Sequence, residues 1–233
     1  FIISIKFDYF RKNKRMKRIL HLILFLLLFP LFPDIPEQIY ARKKTEKFIL
    51  VIDPGHGGND LGATGRRSHE KDLTLKIAKR AAKLIRRHTR NTIVILTREK
   101  DEYISLEERA DMANFFQADL FLSVHINSAR TLAQGTESFV HRKNRNSWTE
   151  YFAQLLQLEY TYYAKRKSRG VKRANFSVLR ETNMPAVLTE VGFISHAQEE
   201  KYMKSRRGYK KLASCIYRAF KQYKETYDEA LKH

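Results

Sequence analysis

The chain has 233 residues, 43% of them hydrophobic, with 45 Lys and Arg against 25 Asp and Glu for a formal charge of +20. That apolar content is enough to bury a core, which excludes disorder as the main state, and the single Cys215 excludes an internal disulfide. The basic surplus raises nucleic acid as a partner, but no aromatic-interleaved RNA motif or zinc-finger spacing accompanies it, so no nucleic acid is expected and an anionic envelope polymer or membrane surface fits the charge better.

Residues 1–15 match no element, and because the first methionine is Met16 they read as upstream sequence. Lys17 and Arg18 then precede an apolar run from Ile19 to Phe32 that Pro30 interrupts. The run is shorter than the roughly 20 residues needed to cross a bilayer, and its order, basic then apolar, is that of an export signal. Residues 16–41 are therefore expected to be a signal peptide cleaved after Ala41, with an uncleaved anchor as the alternative; after cleavage no stable membrane span is expected. What remains keeps 38 basic and 22 acidic residues, a charge of +16. The setting expected is periplasmic, or else secreted or cell-wall associated, since neither a lipid-attachment cysteine nor wall-anchoring repeats occur.

Beyond this segment no repeat or low-complexity linker divides the chain, so residues 46–230 read as one catalytic-sized domain. Short apolar runs predict strands at 48–53, 92–97, 119–126, 135–141, 176–180 and 186–191, and amphipathic runs predict helices at 71–88, 105–117, 147–164, 196–204 and 209–230. Leu73, Ile77, Ala81, Leu84 and Ile85 share one face of the first helix, which should lie on the sheet. Ser105 with Glu108, Ser147 with Glu150 and Ser195 with Gln198 fit the capping box, in which a hydroxyl and the side chain three residues on satisfy free backbone N–H groups. Cys215 falls in the apolar phase of the last helix and reads as a core residue, with an intermolecular bridge as the alternative. The alternation predicts an α/β fold: a three-layer domain with a largely parallel central sheet of about six strands flanked by helices.

The stretch "LVIDPGHGGNDLGA" runs an apolar strand into a glycine-rich turn bearing His56. In α/β domains ligands bind at the carboxyl ends of strands, which makes His56 a site candidate. Glu70, at the start of the following helix, and His125, at the end of the strand "LFLSVHI", complete a two-His, one-Glu set of the kind that binds catalytic zinc and leaves one position open. Glu190 is an acid inside the apolar strand "AVLTEV", where an unpaired charge is costly, and a carboxylate beside a metal site suits general acid–base work. Each residue also has a structural reading. His56 and His125 could be hydrogen-bonded strand-end residues, Glu70 could complement the helix dipole, His69 competes for the ligand role, and Glu190 could pair with Arg98 or Arg109.

The blocks "VIDPGHGGNDLGA", "HEKDLTLKIA", "VILTREKDEYISLEERADMAN", "LFLSVHINSA" and "RGVKRANFSVLRETNMPAVLTEVGFIS", in this order, resemble the zinc-dependent N-acetylmuramoyl-L-alanine amidases over about residues 47–225. The resemblance implies Zn2+ bound by His56, Glu70 and His125, with Glu190 catalytic. It also implies hydrolysis of the amide between N-acetylmuramic acid and L-alanine in peptidoglycan, during cell-wall remodelling or daughter-cell separation. Arg98, Asp101, Arg109 and Asn114 fit the family pattern but stand between a strand and its helix, where bracing the loop is the simpler role. Asn127 and Arg169 stand where they could orient the histidines or face the substrate. His196 replaces the usual Asn of "GFISN", a departure outside the four-residue site. Between Val140 and Arg169 there is room for one helix, whose Trp148, Phe152, Leu155, Leu156 and Leu158 fit core packing. Some family members carry an additional inhibitory helix here; this chain is too short for it, so a protein activator is not expected to be needed to open the site. A carboxypeptidase acting on wall peptides and a noncatalytic envelope-binding protein are the rival readings.

Overall fold

The computed structural model describes residues 47–130 and 132–232. The upstream segment 1–15 and the export signal 16–41 lie outside the described residues. The run "FILVIDP" forms strand β1 (Phe48–Pro54), joined by β2 (Thr92–Leu96), β3 (Leu120–Asn127), β4 (Thr136–His141), β5 (Ser168–Ala174) and β6 (Ala186–Phe193) in one sheet of order β2-β1-β3-β6-β4-β5. All neighbouring pairs run parallel except β4 with β6, which is antiparallel.

Alternate residues of the central strands enter two different cores. Leu50 and Ile52 pack with Leu120 and Leu122 beneath helices α1 (Glu70–His88), α3 (Ser147–Tyr162) and α6 (Arg206–Ala230). Val51, Phe121 and Leu188 pack on the other face with Ala113 of α2 (Leu106–Phe115) and Val178 and Leu179 of α4 (Ser177–Arg180). Burial on both faces explains why these strands read as continuous apolar runs instead of alternating ones. Helix α1 buries Leu73, Ile77, Ala81 and Ile85 as its periodicity predicts, with Leu84 half-buried. Cys215 is buried in α6. No described helix is long and apolar enough to cross a membrane.

The segment predicted as a strand at 176–180 is instead the short helix α4, and the fifth strand is β5. Val178 and Leu179 are consecutive and both enter the same core, which a helical turn permits and a flat strand, with side chains alternating between faces, does not. Strand β5 lies at the sheet's edge, where charged Arg169, Lys172 and Arg173 protect an unpaired side at the expense of an apolar pattern.

The Ser105–Glu108 capping box forms in full. At α3 the cap is Asn146, whose side chain accepts from the backbone N–H groups of Trp148 and Thr149, so Ser147 is already helical. The hydroxyl of Ser195 accepts from Ala129 N, tying down the loop after β3, and α5 (Ala197–Lys204) starts after His196.

Because β4 is antiparallel to β6 and β5 follows β4, the starts of β4 and β5 lie at the same sheet edge as the ends of β1, β3 and β6. That edge carries the site.

Candidate metal centre

The turn after β1 is built around a buried carboxylate. Asp53, fully buried, accepts from Thr97 Oγ1, Ser123 Oγ and Arg109 Nη1, each at 2.6 Å. Burial alone would raise its pKa, but the Arg109 charge and the two hydroxyls outweigh it and hold the carboxyl below its usual range. Arg109 also donates to the carbonyls of Pro54 and His56, and Arg98 to those of Pro54, Gly55 and Lys71. These fixed carbonyls hold His56 at φ +61°, a conformation uncommon for a residue with a side chain.

His56 Nε2 lies 3.2 Å from Glu70 Oε2, and His125 Nδ1 lies 3.0 Å from Glu70 Oε1. Ligand atoms from the three residues all fall within 4.8 Å of one another. Glu70 is fixed from behind by the backbone N–H groups of Ala63 and Ile126, both at 2.8 Å. Burial opposes its ionisation, yet hydrogen bonds from His125 and His56 hold the carboxyl well below the ordinary carboxylate range. Burial likewise opposes charge on His56, and Glu70 and Asp60 together still raise its pKa. The other nitrogen of His56, Nδ1, lies 2.8 Å from Asp60 Oδ2, while Asp60 Oδ1 accepts from Gly62 N.

Two glycines are sterically required here. A Cβ on Gly55 would stand 2.3 Å from the His125 ring, and one on Gly62, at φ +63°, would stand 2.6 Å from the His56 ring and 2.8 Å from Glu70 Oε2. His69 is excluded from the cluster: it stands at the N-terminal boundary of α1, with Nδ1 3.3 Å from Thr64 Oγ1.

Glu190 sits beside the three. Its register partner on β3 is His125 and on β4 is Glu137. The residue is half-buried, but its Oε2 is sealed from solvent and has no hydrogen-bond partner. Burial, with the carboxylates of Glu70 and Glu137 adding to it, pushes its pKa well above the ordinary range. Neither Arg98 nor Arg109 pairs with it; both are committed to the β1 turn.

Asn127 and Arg169 converge on Glu137 and make no hydrogen bond to either histidine. Asn127 Nδ2 donates to Glu137 Oε1 at 2.6 Å, Arg169 Nε donates to Oε2 at 2.8 Å, and Lys172 Nζ also donates to Oε2. Asp101 accepts from Gly58 N and Lys71 Nζ, and Asn114 holds residues 181 and 183, so these residues brace loops as expected. His196 stands at the start of α5, outside the cluster. Asp53, Asp60 and Glu137 are further residues of the site that no motif above marks. The cue that exposed Glu190, an acid in a buried strand, also applies to Asp53 in "FILVID" and Glu137 in "GTESFV".

A family model described as N-acetylmuramoyl-L-alanine amidase matches residues 50–222. The sporulation-specific N-acetylmuramoyl-L-alanine amidase of Bacillus subtilis is 39% identical over 156 residues, covering 67% of this chain and 60% of that protein. The chain thus spans less than two thirds of that relative's length. The crystal structure of an N-acetylmuramoyl-L-alanine amidase from Clostridium difficile 630 superposes with a TM-score of 0.75 at 36% identity, covering 78% of this chain and 99% of that one. The CwlD amidase from Clostridioides difficile, solved in complex with the GerS lipoprotein, gives a TM-score of 0.72 at 26% identity, covering 77% and 100%. Motif order, sheet topology and these likenesses agree: the chain belongs to the N-acetylmuramoyl-L-alanine amidase family.

Proposed function

We propose that the protein is a zinc-dependent amidase that hydrolyses the bond between N-acetylmuramic acid and the L-alanine of peptidoglycan stem peptides, with residues 46–230 as the catalytic unit. The observation that carries this reading is the convergence of His56 Nε2, Glu70 and His125 Nδ1 beside the unpartnered Glu190 carboxyl. Two histidine nitrogens and a carboxylate are the donor set of catalytic zinc sites, which keep a fourth position for water or substrate. Zinc bound there supplies Lewis acidity, polarising the scissile carbonyl and lowering the pKa of a water from 15.7 toward about 7.

Glu190 takes the proton from the attacking water and returns it to the departing alanine nitrogen. Its raised pKa makes it a stronger base than an ordinary carboxylate, which helps it take the proton and hold it between the two transfers. Asp60 fixes His56 with Nδ1 protonated, leaving Nε2 for the metal. Asn127 fixes Glu137 on β4, the strand beside that of Glu190.

Export to the periplasm or cell wall follows from the segment at 16–41 and from the substrate. No activator is needed to uncover the site. Support for this comes from α3, which buries Trp148, Phe152, Leu155 and Leu156 in the core.

The deciding experiment incubates purified protein with peptidoglycan, with zinc or with chelator, and identifies products by mass spectrometry. Stem peptides with a free N-terminal L-alanine, formed only with metal, are expected. Stem peptides shortened at their far end and still attached to sugar would make the enzyme a carboxypeptidase. His125→Ala should lose its zinc by elemental analysis, and full occupancy would show the ligands to be elsewhere.

A further inference from the structure

Arg169 and Lys172, on the outermost strand, reach back to one buried carboxylate, Glu137, and sit on aromatic rings. The Arg169 guanidinium lies 5.0 Å from the Phe193 ring centre and Lys172 Nζ 5.8 Å from that of Phe139. Two cations on one carboxylate leave the cluster with a net positive charge. Glu137 is only 3% exposed at its side chain, whereas Arg169 and Lys172 are 33% and 40% exposed. Arg169 uses only Nε on Glu137, and among the described residues nothing accepts a hydrogen bond from its two terminal NH2 groups. A guanidinium anchored at one nitrogen, backed by a ring and open at the other two is prepared for an incoming carboxylate.

The sheet order sets where that carboxylate would lie. Strands β1, β3, β6, β4 and β5 present His56, His125, Glu190, Glu137 and Arg169 in a row along one edge. Adjacent strands are about 4.8 Å apart. Because Arg169 reaches back to the Glu137 carboxylate on β4, its free nitrogens sit roughly one strand spacing beyond Glu190. In the stem peptide the residue after L-alanine is a γ-linked glutamate, whose main-chain carboxylate is free and lies at most about 7 Å, two residues' reach, from the scissile carbonyl. A substrate with its scissile amide at Glu190 would bring that carboxylate to Arg169.

We propose that Arg169, assisted by Lys172 and held by Glu137, forms a subsite for the free carboxylate of the second stem-peptide residue, so that the enzyme prefers an acid there to a carboxamide. The proposal rests on the amidase reading and adds the substrate group recognised.

The test compares two synthetic muropeptides that differ only in a carboxylate or a carboxamide at this residue, with intact peptidoglycan assayed in parallel. With wild-type protein the carboxylate substrate should have the higher kcat/KM, by on the order of 10- to 100-fold, the scale of one charge-assisted hydrogen-bonded contact. Arg169→Gln should raise KM for the carboxylate substrate and abolish the preference, with zinc content unchanged, and Arg169→Lys should restore part of it. Equal kcat/KM for the two substrates in the wild type, or an Arg169→Gln variant that loses activity on both alike, would overturn the subsite. Failure to release stem peptides even from intact peptidoglycan would instead remove the amidase reading on which the subsite rests.

Discussion

Glu137 and Glu190 face each other directly across the antiparallel pair of β4 and β6, yet their surroundings are opposite. Glu137 accepts from Asn127, Arg169 and Lys172, whereas the Oε2 of Glu190 has no partner. Burial opposes ionisation of both, but for Glu137 the two cations prevail and lower its pKa, while for Glu190 nothing offsets it. Neighbouring acids with separated pKa values suit different tasks: Glu137 stays charged and anchors cations, and Glu190 is left for the proton exchange proposed above.

Glu190→Gln should keep fold and zinc while cutting turnover on the order of 100-fold or more; activity within a few-fold of wild type would remove Glu190 from the reaction. The substitution also has a signature without metal. A carboxyl whose folded pKa is raised keeps its proton in the folded state after the unfolded chain has lost it, so stability falls as pH rises from the ordinary value of 4.5 toward the folded value. Urea midpoints of the metal-free protein across that interval should fall less steeply for Glu190→Gln than for wild type.

Asp60 is 44% exposed at its side chain and contributes little to packing, yet it holds Nδ1 of His56 at 2.8 Å. Carboxylates that orient a ligating histidine typically account for 10- to 100-fold in metal affinity. Asp60→Ala should weaken zinc binding by about that factor in a chelator competition assay, with the thermal transition of the metal-free protein nearly unchanged. Unaltered affinity would mean that the backbone turn alone sets the tautomer and orientation of His56.

Gly55→Ala tests the close approach of chain and ring. A methyl at this position would stand 2.3 Å from the His125 imidazole, so the ring must move from its place beside Glu70. Because the displaced ring is one of the three proposed ligands, zinc occupancy should fall along with folding stability, and a variant with wild-type zinc affinity would show that the turn can yield without cost to the site.

The legible part of this molecule is the part where chemistry interrupts a local pattern. His56 breaks a glycine turn, His125 ends an apolar strand, and Glu190 is an acid among Ala, Val and Leu, so each could be found from a few neighbours in sequence. Strand β5 was hidden because its identity is decided by its place at the sheet edge, a long-range property, and its charged residues carry no alternation. The task of Asn127 was hidden for a related reason: it contacts Glu137 on another strand, ten residues on, and not the adjacent His125. The cap of α3 lies one position earlier than expected because Asn146 and Ser147 are both good caps, and only the backbone geometry chooses between them.

The candidate metal site rests on a buried ion pair. Arg109 and Asp53 form an ion pair whose side chains are 3% and 0% exposed, and the same guanidinium fixes the carbonyl of His56. Asp53→Ala leaves a buried guanidinium without its counter-charge, which should destabilise the fold by about 3–5 kcal/mol. Adding Arg109→Met should recover part of that loss in a double-mutant cycle, because the uncompensated charge is gone, whereas activity should stay low, because the carbonyl of His56 loses its donor. The pH dependence has the opposite sign to that of Glu190. Asp53 titrates below its ordinary value of 3.8 when folded, so its contribution is complete above that value and disappears as pH falls through the folded pKa. Acid unfolding of the wild type should therefore be steeper below pH 3.8 than that of the double variant, and superimposable acid transitions would show that this pair does not control the stability of the turn.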